Sequence, residues 1–147
     1  MSKDLEKASL RLQGKLLKLS DDTDKEMKKA VIDSVLKIHS DAVRSIQKVS
    51  QGERQTRYNP KREVVVSRPM DPPNTDTGRL IQSIEFEVDG KTGYVGTNLR
   101  YGAYLEFGTN TMAPRPWLFP AFLKNRKEVK EIMFDGVQVS LDKAVKP

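Results

Sequence analysis

Few side chains in this chain could do chemistry, and none falls into a reacting set. The best placed is Glu106. It stands between Leu105 and Phe107 in the stretch YGAYLEFGTNTMAPRPWLFPAF, residues 101–122. A carboxylate in such apolar company is normally held by hydrogen bonds or by a cation. Glu106 could accept from the N–H groups of the Gly108-Thr109-Asn110 turn, or pair with Arg115. General-base work would need a partner acid that the sequence does not offer, so Glu106 reads as a structural anchor. Glu85 and Glu87 alternate with Ile84, Phe86 and Val88 and read as the solvated face of a strand, not as a catalytic carboxylate pair. His39 is the only histidine. It lies one residue off an apolar helical stripe and reads as a flank residue. With one His and no Cys, thiol catalysis and most His-based triads have no candidate, and neither do disulfides or thiolate metal sites. No His/Asp/Glu cluster has metal-ligand spacing. Gly90, Gly93 and Gly96 lack the Lys-Ser/Thr that follows a phosphate loop and sit in a strand pattern. No catalytic, cofactor or metal residue is expected.

Charge is the second signal. Residues 1–62 carry 15 Lys+Arg against 9 Asp+Glu, whereas residues 63–147 carry 11 of each. Arg44, Lys48, Arg54, Arg57, Lys61 and Arg62 fall within 19 residues that hold one acid, Glu53. Such a segment is a candidate DNA-facing surface, or simply a solvated basic loop. Six of the ten aromatic residues fall in residues 101–122: Tyr101, Tyr104, Phe107, Trp117, Phe119 and Phe122. The spacing of Tyr104 and Phe107 suits core or interface packing better than a stacking platform for single-stranded nucleic acid.

The elements that must position these residues belong to one α+β domain of 147 residues. Leu5, Leu12, Leu16 and Leu19 predict a helix over about 3–19. Residues 1–20 are a candidate arm for a neighbouring subunit, although docking on the chain's own core is the preferred expectation. Ser20-Asp21-Asp22-Thr23, with Glu26 after it, reads as the start of a second, long helix over about 21–50. Its stripe is Met27, Val31, Val35, Ile38, Ala42, Ile46 and Val49. Gln51–Lys61 reads as a loop and Glu63–Ser67 as a strand. Thr75–Ser83 reads as a short helix capped by Thr77. Ile84–Asp89 and Gly93–Thr97 form a hairpin around Asp89-Gly90, and Tyr101–Phe107 a short helix. A C-terminal helix begins near Trp117 or Leu118 and buries Leu118, Phe122, Val129, Ile132 and Met133. Asp135-Gly136 could break it; Val137, Val139 and Leu141 fit a strand as well as a helix, and helix to about Ala144 is preferred. The whole is an α+β fold of long N-terminal helices, a small antiparallel sheet, a short helix after the hairpin and a C-terminal helix, with residues 63–123 holding the sheet and the aromatic stretch. The first residues lack a secretory pattern, and no apolar run approaches membrane-spanning length.

These motifs carry a resemblance. Asp76-Thr77-Gly78-Arg79-Leu80, with Ser83-Ile84, is followed by Val95-Gly96-Thr97-Asn98. Then come Tyr101, Tyr104-x-Glu106-Phe107-Gly108-Thr109 and Met112-Ala113-x-Arg115-Pro116-Trp117. In this order they resemble the neck or tail-completion proteins of long-tailed double-stranded DNA phages, similar to the minor tail protein Z of lambda-like phages. The resemblance implies signature or interface positions at Gly78, Leu80, Ser83, Gly96, Tyr101, Tyr104, Glu106, Phe107, Gly108, Thr109, Arg115, Pro116 and Trp117. Pro114 departs from the pattern, where a small residue is more usual, and Trp117 replaces a more usual Phe. The resemblance further implies a non-enzymatic virion protein of the head–tail junction, assembled in the host cytoplasm. It would form a homo-oligomeric ring, hexamer or dodecamer, around the DNA channel and join head-completion or adaptor proteins to tail-terminator or tail-tube proteins, with non-specific contact to DNA in transit and none to membrane. The alternative from the residues alone is a small basic nucleic-acid-binding domain that uses residues 44–62.

Overall fold

A computed structural model describes residues 3–145. Helix α1 spans Lys3–Gln47, followed by strands β1 (Glu53–Tyr58) and β2 (Lys61–Val66) and helix α2 (Arg79–Gln82). Strands β3 (Ile84–Asp89) and β4 (Thr92–Thr97), helix α3 (Arg100–Phe107) and helix α4 (Phe119–Val145) complete the chain. The α+β class is as expected, but the sheet is two separate antiparallel hairpins, β1–β2 and β3–β4.

Helices α1 and α4 pack antiparallel and form the backbone of the fold. Their cross-contacts step in opposite directions: Thr23 meets Ser140, Lys37 meets Glu128, and Asp41 meets Asn125. The seam is lined by small residues. Ala30, Ser34 and Ala42 of α1 are buried, as are Ala121, Asn125 and Ser140 of α4. A Cβ on Gly136 would stand 3.2 Å from the Ala30 Cβ and 3.3 Å from the Glu26 carbonyl oxygen. Gly136 therefore permits a close helix approach and does not break α4, which runs on as helix through residues 136–145. Phe122, expected in the core, is half-exposed instead; the seam holds Ala121 and Asn125 in its place, because a ring has no room there.

The expected break at Ser20–Thr23 is absent, and α1 is one helix of 45 residues. Thr23 does not cap. Its hydroxyl donates to the Leu19 carbonyl at 2.7 Å and lies 3.2 Å from the Ser140 hydroxyl, which satisfies it inside a continuous helix. The nearby acids are used in tertiary contacts, Asp24 with Lys91 of the β3–β4 turn and Glu26 with Lys143 of α4. Residues 3–18 do not dock on the chain's own core, contrary to expectation; every one of them is exposed. Val49 lies past the end of α1 and is exposed rather than part of the stripe.

Residues 53–58, expected as loop, form β1, which pairs with β2 from Glu53↔Val66 to Tyr58↔Lys61. All six β1 residues are exposed, so no alternation marks them, and the backbone ladder with β2 alone makes the strand. The Asn59–Pro60 peptide in the turn is cis. Helix α2 begins at Arg79, later than expected. Its N-cap is Gly78 at φ 74°, and no side chain caps it. The left-handed backbone suits Gly, while Thr75 ties back to the Ile46 carbonyl. The β3–β4 hairpin has the expected strands and turn, with Gly90 at φ 58°. It packs across α1 so closely that a Cβ on Gly93 would come within 2.2 Å of Val35 Cγ2. His39 donates from Nε2 to the Ile84 carbonyl (3.1 Å) and meets Phe86 edge-on at 5.7 Å, so it fastens β3 to α1. The main core gathers Ala42, Ile46, Leu80, Ile84, Trp117 and Ala121 where α1, α2, β3 and α4 meet.

Two outcomes follow from this packing. Gly93→Ala should cost about 1–3 kcal/mol by overpacking, whereas Gly96→Ala, which meets nothing within 4 Å, should cost less than about 1 kcal/mol; urea unfolding of both measures the difference. Asp41 is buried, and its carboxyl is held below the usual carboxylate range, chiefly by the hydrogen bond from Asn125, with Lys124 adding and burial opposing. A depressed carboxyl stabilises the fold above its unfolded pKa of about 4 and loses that contribution as pH falls through the folded value. The melting temperature should therefore fall more steeply below about pH 4 in the native chain than in Asp41→Asn.

Candidate interaction surface

The Glu106 carboxylate sits over the first turn of α4. Oε2 accepts from the backbone N–H of Trp117 (2.8 Å) and Leu118 (2.9 Å), and Oε1 from Phe119 (2.8 Å). A helix start leaves its first N–H groups without intrahelical partners and carries partial positive charge, so a carboxylate there satisfies both. The anchor role is as expected, but the partners are neither the Gly108–Asn110 turn nor Arg115. Arg115 instead donates from Nε to the Ser67 carbonyl at 3.1 Å, and its own N–H meets the Leu105 carbonyl at 2.6 Å. It braces the end of β2 and the α3–α4 link.

Several other positions expected as signature or interface residues also hold the fold. Trp117 is 2% exposed; its indole N–H donates to the Gly102 carbonyl at 3.1 Å, and its carbonyl accepts from the Ser45 hydroxyl at 3.3 Å. Gly102 must stay small, since a Cβ there would lie 2.5 Å from Thr97 Cγ2. Leu80 is buried, and Ser83 hydrogen-bonds Thr97 at 2.6 Å. Gly108 ends α3 at φ 77°, Thr109 pairs with Met112, and Gly96 and Pro116 are half-buried.

The remaining aromatics face outward. Tyr101, Tyr104 and Phe107 of α3 are exposed, Phe107 to 81%, as are Phe119, Phe122 and Leu123 of α4. Because Glu106 clamps the end of α3 to the start of α4, these rings flank one rigid junction. Exposed aromatics held on fixed elements are the composition of a contact surface.

The six basic residues do not form one patch. Strand pairing puts Arg57 and Arg62 on one face of the β1–β2 hairpin, with Val64 and Val66, and Arg54 and Lys61 on the other. Arg62 is engaged by Asp76 through Nε and Nη2, at 2.9 and 3.0 Å. Arg57 lines a cleft of about 310 Å³ beside Val64, Tyr101, Leu105 and Arg115. Arg44 lies 3.9 Å from Asp41 at the end of α1, and Lys48 follows it, exposed. Glu85 and Glu87 are exposed on β3. Among the described residues no group of His, Cys, Asp or Glu could hold a metal ion, and no helix is long and apolar enough to cross a membrane. Neither the Asp41–Asn125 contact nor the cleft is legible in the sequence. The first is a polar contact between residues far apart in the chain, and the second depends on a strand without a sequence pattern.

The chain thus offers contact surface on a rigid α+β frame. Residues 11–108 match the family described as "Bacteriophage HK97-gp10, putative tail-component". The match covers two thirds of the chain, and the chain belongs to this family of phage tail components. Membership implies a place in the virion and contact with other virion proteins. The match ends at Gly108, so the Arg115–Trp117 link and α4 lie outside it. No curated protein and no solved structure matches the chain.

Replacing Glu106 with Ala should cost about 2 kcal/mol, the upper range of a lost N-cap. Phe107→Ser should stay within about 0.5 kcal/mol of the native chain. Denaturant unfolding of the two variants separates fold-holding from outward positions.

Proposed function

We propose that the protein is a non-enzymatic structural subunit of the phage head–tail junction. Copies form a ring around the DNA passage and bridge head-completion and tail-terminator proteins. The observation that carries this reading is the set of exposed rings at the α3–α4 junction: Tyr104, Phe107, Phe119 and Phe122 stand in solvent on elements locked together by Glu106. Family membership supplies the setting. The signature residues then divide by role: Glu106, Trp117, Arg115, Gly108 and Leu80 hold the frame, while Tyr101, Tyr104 and Phe107 meet neighbours.

DNA contact in this reading is weak and sequence-independent, because it reaches only phosphates. Arg54, Lys61 and Lys48 are its main carriers, since Arg62 is held by Asp76 and Arg57 lies along the cleft. The four-residue variant Arg54→Gln, Arg57→Gln, Lys61→Gln and Arg62→Gln should leave assembly intact and alter DNA retention or ejection. Loss of assembly would make the hairpin an interface.

Size-exclusion chromatography with light scattering tests the main reading. The chain, mixed with the head-completion and tail-terminator proteins of the same phage, should elute in a complex that persists at high salt, as apolar interfaces do. A chain that stays monomeric in every mixture, and binds free duplex with affinity falling steeply as salt rises, would be a nucleic-acid-binding domain instead.

A further inference from the structure

The cleft of about 310 Å³ lies between the β1–β2 hairpin and the body of the fold. Three polar contacts tether the hairpin there. Arg62 is hydrogen-bonded to Asp76, the Asn74 side-chain amide donates to the Val65 carbonyl at 2.8 Å, and Arg115 donates to the Ser67 carbonyl at 3.1 Å. The walls of the cleft are apolar: Val64 and Val66 from the hairpin, Leu80 and Ile81 from α2, Leu105 from α3 and Ile46 from α1.

The charges on the cleft are nearly all of one sign. Arg57, Arg79 and Arg115 line it, against the single acid Asp76, and Asp76 is already taken by Arg62. Arg57 and Arg79 are exposed and have no ion pair or side-chain hydrogen bond among the described residues. Tyr101, 39% exposed, lines the cleft as well.

An occupant must therefore answer two demands at once. The walls gain from an apolar side chain. The free guanidinium forks gain from carboxylates, which they hold through paired hydrogen bonds. A phosphate backbone answers only the second demand, because it brings nothing apolar to the walls. An extended peptide with leucine or phenylalanine beside aspartate or glutamate answers both. The volume is at the small end of the range for ligand clefts, about 300–1,000 Å³, which suits a short segment and not a folded surface.

We propose that the cleft binds an extended acidic segment of a partner protein. An apolar side chain enters between the walls, and the neighbouring carboxylates lie on Arg57 and Arg79. The inference rests on the reading of the chain as a subunit that meets other proteins of the junction, and it names the chemistry of one such contact. Tyr104, Phe107, Phe119 and Phe122 lie outside the cleft, so ring closure through them does not require it to be filled.

The probe is the fluorescein-labelled peptide Gly-Ser-Asp-Leu-Asp-Glu-Ser-Gly. It is titrated with the full chain and read by fluorescence anisotropy and by the methyl NMR signals of Val64, Ile81 and Leu105. The expected result is saturable binding that shifts those signals. Replacing the peptide's leucine with serine, or its acids with their amides, should weaken binding tenfold or more in each case. Arg57→Glu with Arg79→Glu should abolish binding of this peptide and admit one with lysines in place of the acids, a rescue that a damaged fold would not show. Absence of saturable binding overturns the proposal. So does binding that ignores the leucine and is displaced by a single-stranded oligonucleotide, which would make the arginines a phosphate-binding surface. Loss of self-association in the charge-reversed chain, with no peptide binding by the native one, would put a second copy in the cleft and overturn it too. Peptide binding without rings in any mixture supports the cleft and removes the ring reading; rings without peptide binding do the reverse.

Discussion

The Glu106 carboxylate fixes where α4 begins, and much of the fold follows from that point. It satisfies the N–H groups of three consecutive residues, Trp117 to Phe119, at the helix end where their partial charge attracts an anion. Trp117 is thereby set into the core against Gly102 and Ser45. Phe119 and Phe122, one and four residues into the same helix start, are turned outward. One carboxylate therefore determines both what α4 buries and what it shows.

The second constraint is the closeness of α1 and α4. Ala30, Ser34, Ala42, Ala121 and Ser140 leave little side-chain volume between the two backbones. Asp41 and Asn125 occupy this seam as a hydrogen-bonded pair at 2.8 Å, with the Lys124 ammonium at 3.1 Å. A buried carboxylate is tolerated there because it is both hydrogen-bonded and paired. Residues 3–18 of α1 lie outside this seam and are exposed.

Elements whose signals were local were legible in the sequence. The β3–β4 hairpin showed alternation and an Asp-Gly turn, α3 its helical spacing, and the stripe from Met27 to Ile46 its burial. The anchor role of Glu106 was legible from its apolar neighbours, but its partners were not, because they lie eleven to thirteen residues on, beyond a turn. The break expected at Ser20–Thr23 failed because a capping pattern is only a local preference. Lys91, Ser140 and Lys143 engage the same side chains from distant elements. Strand β1 was invisible because none of its residues is buried, and the basic segment lost its unity once β1 and β2 put alternate residues on opposite faces.

The family is one of phage tail components, and the chain exposes aromatic side chains at the α3–α4 junction. We propose that copies of this chain close around a passage. Negative-stain electron microscopy of the purified chain at high concentration, alone and with the head-completion and tail-terminator proteins of the same phage, shows whether they do. Closed rings with a central hole are the predicted result. Single particles without a hole in every sample would contradict it.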